Sequence, residues 1–319
     1  MPEWVVERGI GENRAALVGG ERILETRIML DGAIVAGSTM ECRLRSVGER
    51  GRNAVAVTAD GVETLLPIRP AGVSEGAKLS VEITREVIPG TEPWKRALGR
   101  VTDAAPSSAS LTGKPLPFPP CGSDLLERAG WSELLEEARS GLVRFAGGEL
   151  KLYLTPAMTL IDVDGALPPA ELAIAGATAA GSTIRRLGIG GSIGIDLPTT
   201  AGKEPRRRAA EALDVALEGT PFERTAVNGF GFVQVVRPRR HASLLELAAD
   251  RATFAARALL RRAAVAGFGP CRLAVHPAVA AVLQDRPDWL AALQQQRGGA
   301  VALRSDPGLL ISGGHAEPL

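Results

Sequence analysis

The residues this sequence has few of narrow what it can be. Its three cysteines, Cys42, Cys121 and Cys271, are odd in number, far apart and in no CxxC or CxxH spacing. A disulfide framework and a zinc knuckle are therefore both excluded, and the three read as partly buried thiols. Histidines are as scarce: His241, His276 and His315 stand well apart, and none forms an HxxxH pair. No GxSxG elbow is present, and Ser182 and Ser192 have no recognisable base, which argues against serine nucleophiles. Twelve aromatic residues in 319 make extended base-stacking platforms sparse. No apolar run approaches the roughly 18 residues of a membrane span, and the opening MPEWVVERGIGENR is too charged for a signal peptide. The expectation is a cytoplasmic protein with no membrane partner. An excess of one charge is missing too: 37 Lys plus Arg against 36 Asp plus Glu leave a net charge of +1. Any polyanion site must therefore be local.

What is present is a globular composition, 45% hydrophobic and 23% charged, which excludes disorder over most of the chain, in a length that suits two or three small domains. Residues 103–120, DAAPSSASLTGKPLPFPP, hold five prolines among small residues and read as a connector or shortened insertion. Before them, AALVGG, RILETRIML, TMECRLRSV, NAVAVTA, ETLLPI and AKLSVEITREV lie between Gly-rich turns, the pattern of a small antiparallel sheet or barrel. After them, SDLLERAGWSELLEEARSG predicts one helix or a pair of short ones, N-capped by Ser123 and ending at Gly141. Then GGELKLYLTPAMTLIDVDG, an Ala-rich helix over 169–187 and GIGGSIGIDLP make a β(α)β alternation. The rest reads as a helix over 205–217, a strand pair over 222–238 turning near Asn228-Gly229, a long helix to about 265, a strand at CRLAVH, helices over 277–296 and two short strands.

The residues with chemistry cluster in that alternation. Asp162 and Asp164 stand in LIDVDG and Asp196 in IGIDLP. If the two strands are adjacent and parallel, as a right-handed crossover requires, Asp162 and Asp196 project at the carboxyl edge where open α/β sheets bind ligands. Two such carboxylates repel each other unless a cation lies between them, and hard oxygen donors without Cys or His favour Mg²⁺ or Mn²⁺. The competing reading is that each Asp caps the turn after its strand. Residues 181–262 carry fourteen Lys/Arg against eight Asp/Glu, a local basic excess. Within it, Arg206, Arg207 and Arg208 are either phosphate ligands or a solvated helix face. Arg237-Pro238-Arg239-Arg240 is a proline-stiffened fork suited to a phosphate backbone. Gly188-Ile189-Gly190-Gly191 precedes a strand and reads as a helix-to-strand turn, not a nucleotide loop. His276, beside Pro277 among apolar residues, reads as structural.

GGELKLYLTPAMTLIDVDG, the Ala-rich helix, IRRLGIGGSIGIDLP and VNGFGFVQVVRPRR follow one another in the order and spacing of the ribonuclease E/G family's catalytic region, which the chain resembles most clearly over residues 124–245. Weaker similarity covers residues 3–30, 35–87 and 244–313. The fold this implies is multidomain α+β. Residues 1–34 and 114–150 would form a ribonuclease H-like subdomain, with an S1/OB-type RNA-binding β-barrel inserted at 35–102. Residues 103–113 would be a connector replacing the family's 5′-monophosphate sensor, 151–242 a DNase I-like α/β catalytic domain, and 243–319 a small C-terminal α/β domain. The implied activity is a Mg²⁺-dependent endoribonuclease, with Mn²⁺ as the alternative ion, cutting single-stranded RNA by a metal-activated water and leaving 5′-phosphate ends in RNA processing or decay. Asp162 and Asp196 match the two catalytic, metal-binding aspartates, and Asp164 matches an asparagine that orients the metal site. Arg237, Arg239 and Arg240, with Arg206 and Arg207, would bind the RNA backbone.

Departures from the family are informative. Asp164 adds a negative charge, and LPTT follows Asp196 where the family has Phe-Ile-Asp-Met. The Cys-Pro-x-Cys zinc link is missing between His241 and Leu245, so no zinc is expected, and a monomer or a weak, zinc-independent homodimer is. Val57 and Leu65 stand near the family's RNA-stacking phenylalanines. These losses keep two rivals in view: a non-catalytic RNA-binding or ribosome-associated protein with a vestigial ribonuclease site, and a metal-dependent phosphoesterase acting on a small substrate.

Overall fold

The computed structural model describes residues 1–48, 53–89, 96–120 and 122–319, so Cys121 lies outside the described residues. The chain divides into two units, each assembled from separated segments: Met1–Asp31, Leu111–Arg139 and Leu247–Leu319 in one, Gly32–Ser110 and Ser140–Glu246 in the other. Mixed α and β structure with several sheets and a closed five-strand barrel agrees with the α+β expectation.

In the first unit, β1 (Glu3–Arg8), β2 (Glu12–Gly19) and β3 (Arg22–Leu30) form an antiparallel meander, and β9 (Lys114–Leu116) pairs parallel to β1. The proline-rich stretch is thus not all connector. Its Pro115 is tolerated because β9 is the edge of the order β3-β2-β1-β9, where a missing N–H costs no inner ladder bond. α1 (Leu125–Arg128) is capped by Asp124 rather than Ser123: the Asp124 carboxylate accepts from Glu127 N at 3.1 Å, while Ser123 Oγ takes a bond from Arg128. α2 spans Trp131–Ser140. The single long helix expected after His241 is two, α5 (Leu244–Ala249) and α6 (Arg251–Val265). Apolar periodicity continues through the junction, but Asp250 caps Thr253 N instead of continuing the helix.

β16 (Cys271–Val275), α7 (Pro277–Gln284), α8 (Pro287–Arg297), β17 (Val301–Ser305) and β18 (His315–Pro318) complete this unit, the strands in the order β17-β16-β18. His276 is structural as expected, its Nδ1 accepting from Ala278 N at the start of α7. Leu259, Leu260, Cys271, Leu273, Leu283 and Leu293 form the apolar core. Beside it lies a buried ion network. Arg14 reaches Glu7 at 2.6 Å and Glu12 at 2.8 Å, Arg257 meets Glu12 at 2.8 Å, and Arg261 bonds both Glu7 and Asp124. The Arg14 guanidinium also lies over the rings of Phe118 and Trp131.

In the second unit, β4 (Thr39–Val47), β5 (Ala54–Val57), β6 (Glu63–Leu66), β7 (Lys78–Arg85) and β8 (Ala97–Thr102) close in the order β4-β5-β6-β8-β7, with β6 and β8 parallel and the other pairs antiparallel. Alternation along each strand sends Cys42, Leu44, Ala54, Ala56, Leu66, Val81 and Ile83 inward. Six further strands make one sheet: β10 (Leu142–Phe145), β11 (Gly148–Leu154), β12 (Thr159–Gly165), β13 (Gly191–Asp196), β15 (Phe232–Arg237) and β14 (Glu223–Arg224), in that spatial order. β12 and β13 are parallel, joined by α3 (Pro169–Arg186). α4 (Glu204–Ala216) packs on α3 where Gly181 faces Ala216 and Leu213. Among the described residues no helix is long and apolar enough to cross a membrane.

Candidate active site on the open face of the six-stranded sheet

Strand alternation divides the sheet into two faces. Leu150, Leu152, Ile161, Val163, Ile193, Ile195, Val233 and Val235 are buried on one, and α3 approaches that face where Gly176 meets Val163. On the other, Lys151, Tyr153, Asp162, Asp164, Asp196, Phe232, Gln234 and Val236 are half-buried or exposed. Parallel pairing of β12 and β13 sets Asp162 directly beside Asp196, the juxtaposition the crossover argument required.

Register extends that pair into a row. Lys151 on β11 is opposite Asp162, Asp162 is beside Asp196, and Asp196 is opposite Phe232 on β15. A cation, two carboxylates and an aromatic ring thus succeed one another across four strands, about 4.8 Å apart per step. Behind the row, Asp164 is opposite Glu149, a like-charged pair that disfavours the ladder. Lys151 offsets it: its Nζ donates to Asp164 Oδ2 at 2.5 Å and lies 3.7 Å from Glu149. The bond to Asp164 raises the Lys151 pKa. Asp162 is also raised, by partial burial first, then by Asp164 and Asp196, with Lys151 acting in the opposite direction. Even with a lysine present, negative charge is in excess.

That excess fits a divalent cation held between Asp162 and Asp196, whose oxygens are the hard donors Mg²⁺ prefers. Asp164 is engaged by Lys151, and among the described residues no group of three or more His, Cys, Asp or Glu side chains converges as a metal site. The arginines are dispersed. Arg237 shares the face of Val233 and Val235, and its Nη1 donates to the carbonyls of Ile184 and Ile189, tying down the end of α3. Arg239 bonds Glu246, which in turn accepts from Ser243 N and Oγ at the start of α5. Arg240 is exposed, and its carbonyl accepts from Glu86 N. Arg207 is held between Glu204 and Glu211 on α4, with half-buried Arg206 beside it. On the barrel, Val57 and Leu65 are half-buried outward positions, and Leu65 pairs with Val55 and Leu98.

Sequence reasoning missed Lys151 and Phe232. A countable signal existed: the Thr155–Met158 turn, closed by Thr155 N to Met158 O, sets Leu154 opposite Thr159, and three steps back on each side bring Lys151 opposite Asp162. Compared with family models and with curated proteins, the chain matches none of them.

Proposed function

We propose that this protein is a Mg²⁺-dependent endoribonuclease of the ribonuclease E/G kind, acting on single-stranded RNA and leaving 5′-phosphate ends. The observation that carries the proposal is the in-register pair Asp162 and Asp196 on adjacent parallel strands, on a sheet face where no packing role explains them. In this reading Asp162 and Asp196 would hold the ion, which when bound would supply a polarised water and offset phosphate charge. Lys151 stands one strand from the pair, placed to exchange its bond to Asp164 for one to a phosphate oxygen. Exposed Arg240 and half-buried Arg206 remain candidates for the RNA backbone, whereas Arg237 and Arg239 act by fixing the elements around the site. The barrel's strand order, with its first strand closing on its fourth and its third parallel to its fifth, supports an OB-type reading in which the outer surface of β5 and β6 receives RNA. The remaining assignments of a ribonuclease H-like part, a DNase I-like domain and a cytoplasmic location belong to the same proposal.

The non-catalytic RNA-binding reading has one observation in its favour: Lys151 already neutralises part of the carboxylate cluster. A labelled single-stranded oligoribonucleotide separates the two. Cleavage in Mg²⁺ that stops in EDTA and is lost in both Asp162→Asn and Asp196→Asn is expected, and the double variant should be no worse than either single one. Binding without cleavage, or full cleavage by either single variant, overturns the proposal.

A further inference from the structure

Aromatic side chains are scarce in this chain, twelve in all, yet two of them stand together beside Asp196: Phe232 on the open face of the sheet, opposite Asp196, and Phe230 in the turn leading into β15. Phe230 is 82% exposed, and the turn that carries it is built to hold it there. Asn228 Oδ1 accepts from Phe230 N at 2.9 Å and from Phe232 N at 3.1 Å, Thr199 Oγ1 donates to Phe230 O, and Leu197 N donates to Gly231 O. Gly231 has φ +95°, and a Cβ there would come within 2.1 Å of Leu197 O, so the turn lies directly on the residue after Asp196. Phe232 follows and lies low over the sheet. A Cβ at Gly194 would lie 2.7 Å from its Cζ, 3.0 Å from Leu160 and 3.0 Å from the Met158 sulfur, so the absent side chain lets the ring settle as part of an apolar floor.

We propose that Phe230 and Phe232 form a base-stacking subsite beside Asp196, receiving the nucleobase next to the phosphate that lies over the carboxylate pair. The occupant follows from what adjoins the rings. A ligand that reaches both this floor and the Lys151 end of the row, three strands and about 14 Å away, needs a flat apolar face and an anionic group, which a nucleotide chain has and an apolar peptide lacks. Preorganisation supports the same occupant, since the bonded turn already fixes the backbone that carries Phe230, so little main-chain freedom is lost when a base stacks there. The turn thereby sets which phosphate lies over Asp162 and Asp196, which makes both phenylalanines positioning residues. The inference rests on the single-stranded-RNA reading above but not on cleavage.

Binding in EDTA tests it without turnover. A labelled single-stranded oligoribonucleotide and an abasic chain with the same backbone are titrated into wild type, Phe230→Ala, Phe232→Leu, the double variant and Phe230→Trp. Removal of a stacking ring is expected to weaken binding of the intact RNA about tenfold, the double variant should bind intact and abasic chains alike, and Phe230→Trp should bind as wild type or more tightly. Because Phe230 is exposed, Phe230→Ala should keep the wild-type melting temperature. Wild-type affinity in the double variant overturns the subsite, and so does weakened binding that Phe230→Trp fails to retain or a changed oligomeric state with RNA affinity intact. RNA binding that depends on the rings but proceeds without cleavage in Mg²⁺ sinks the nuclease reading and leaves the subsite standing. No RNA binding by wild type sinks both.

Discussion

The molecule holds two clusters of charge that its fold treats in opposite ways. In the first unit Glu7, Glu12 and Asp124 meet Arg14, Arg257 and Arg261, side chains at most 14% exposed, and each carboxylate has a guanidinium within 3 Å. In the second unit Asp162, Asp164 and Glu149 share Lys151, with Asp196 beyond Asp162, on a face that no helix of the α3–α4 layer covers. The paired cluster braces β1, β2, α1 and α6 against one another and leaves no charge over for a ligand. The unbalanced one braces little and keeps carboxylates apart from any packing need. Charge that folding neutralises is architecture, and charge that folding leaves in excess is available to a ligand.

The largest effect should come from breaking the balanced cluster. Burial opposes the charge on Arg261, but Glu7 and Asp124 outweigh it and hold the guanidinium pKa above its usual value. Arg261→Met strips the mostly buried Asp124 of its guanidinium and leaves Glu7 with Arg14 alone. Stability should fall by about 3–5 kcal/mol, the cost of stranding buried charge. Urea denaturation reads it, and a loss under ~1 kcal/mol would mean that water reaches the network and that the two clusters are alike after all.

The converse experiment is on Asp162. Its folded pKa is raised above the ordinary 3.8, by burial and by its acidic neighbours, so the folded protein holds that proton more tightly than the unfolded chain does. Stability without metal therefore falls as pH rises from about 4 through the raised folded pKa, and at neutral pH the ionised group opposes folding. Asp162→Asn should melt at the same or a slightly higher temperature than wild type in EDTA at pH 7 and should lose part of that acid-side slope. The change is small because solvent screens the site. A melting temperature several degrees lower would place Asp162 with the structural charges.

Legibility in the sequence follows the same division. The pair Asp162 and Asp196 was readable because two apolar strands end on acids and a crossover helix leaves only the parallel pairing. The brace was not, because Glu7, Asp124 and Arg261 are far apart in sequence and Glu7 sits in EWVVER, where an acid near a strand end reads as solvent-facing. The face of Arg237 was readable too: it is two residues from Val235 and four from Val233, so alternation alone assigns it to the buried face, whatever Pro238 does to the chain beyond it. Asp250 broke a helix that apolar periodicity carried straight through, since periodicity registers burial and not a competing cap.

The smallest expected effect sharpens the comparison most, because it concerns the residue that makes the second cluster resemble the first. Lys151 is 36% exposed and Asp164 56%, so solvent screens their ion pair and it contributes little to folding. Its consequence is electrostatic: it lowers the pKa of Asp162 and opposes any cation that approaches Asp162 and Asp196. Lys151→Met should leave the melting temperature within a degree or two. It should also tighten Mg²⁺ binding by roughly fivefold, the effect of removing a nearby like charge at surface dielectric. Isothermal titration of the RNA-free protein with Mg²⁺ measures this without turnover. Weaker Mg²⁺ binding in the variant would show that Lys151 holds Asp164 in a place the ion needs. The lysine would then count among the site's supports and not its competitors.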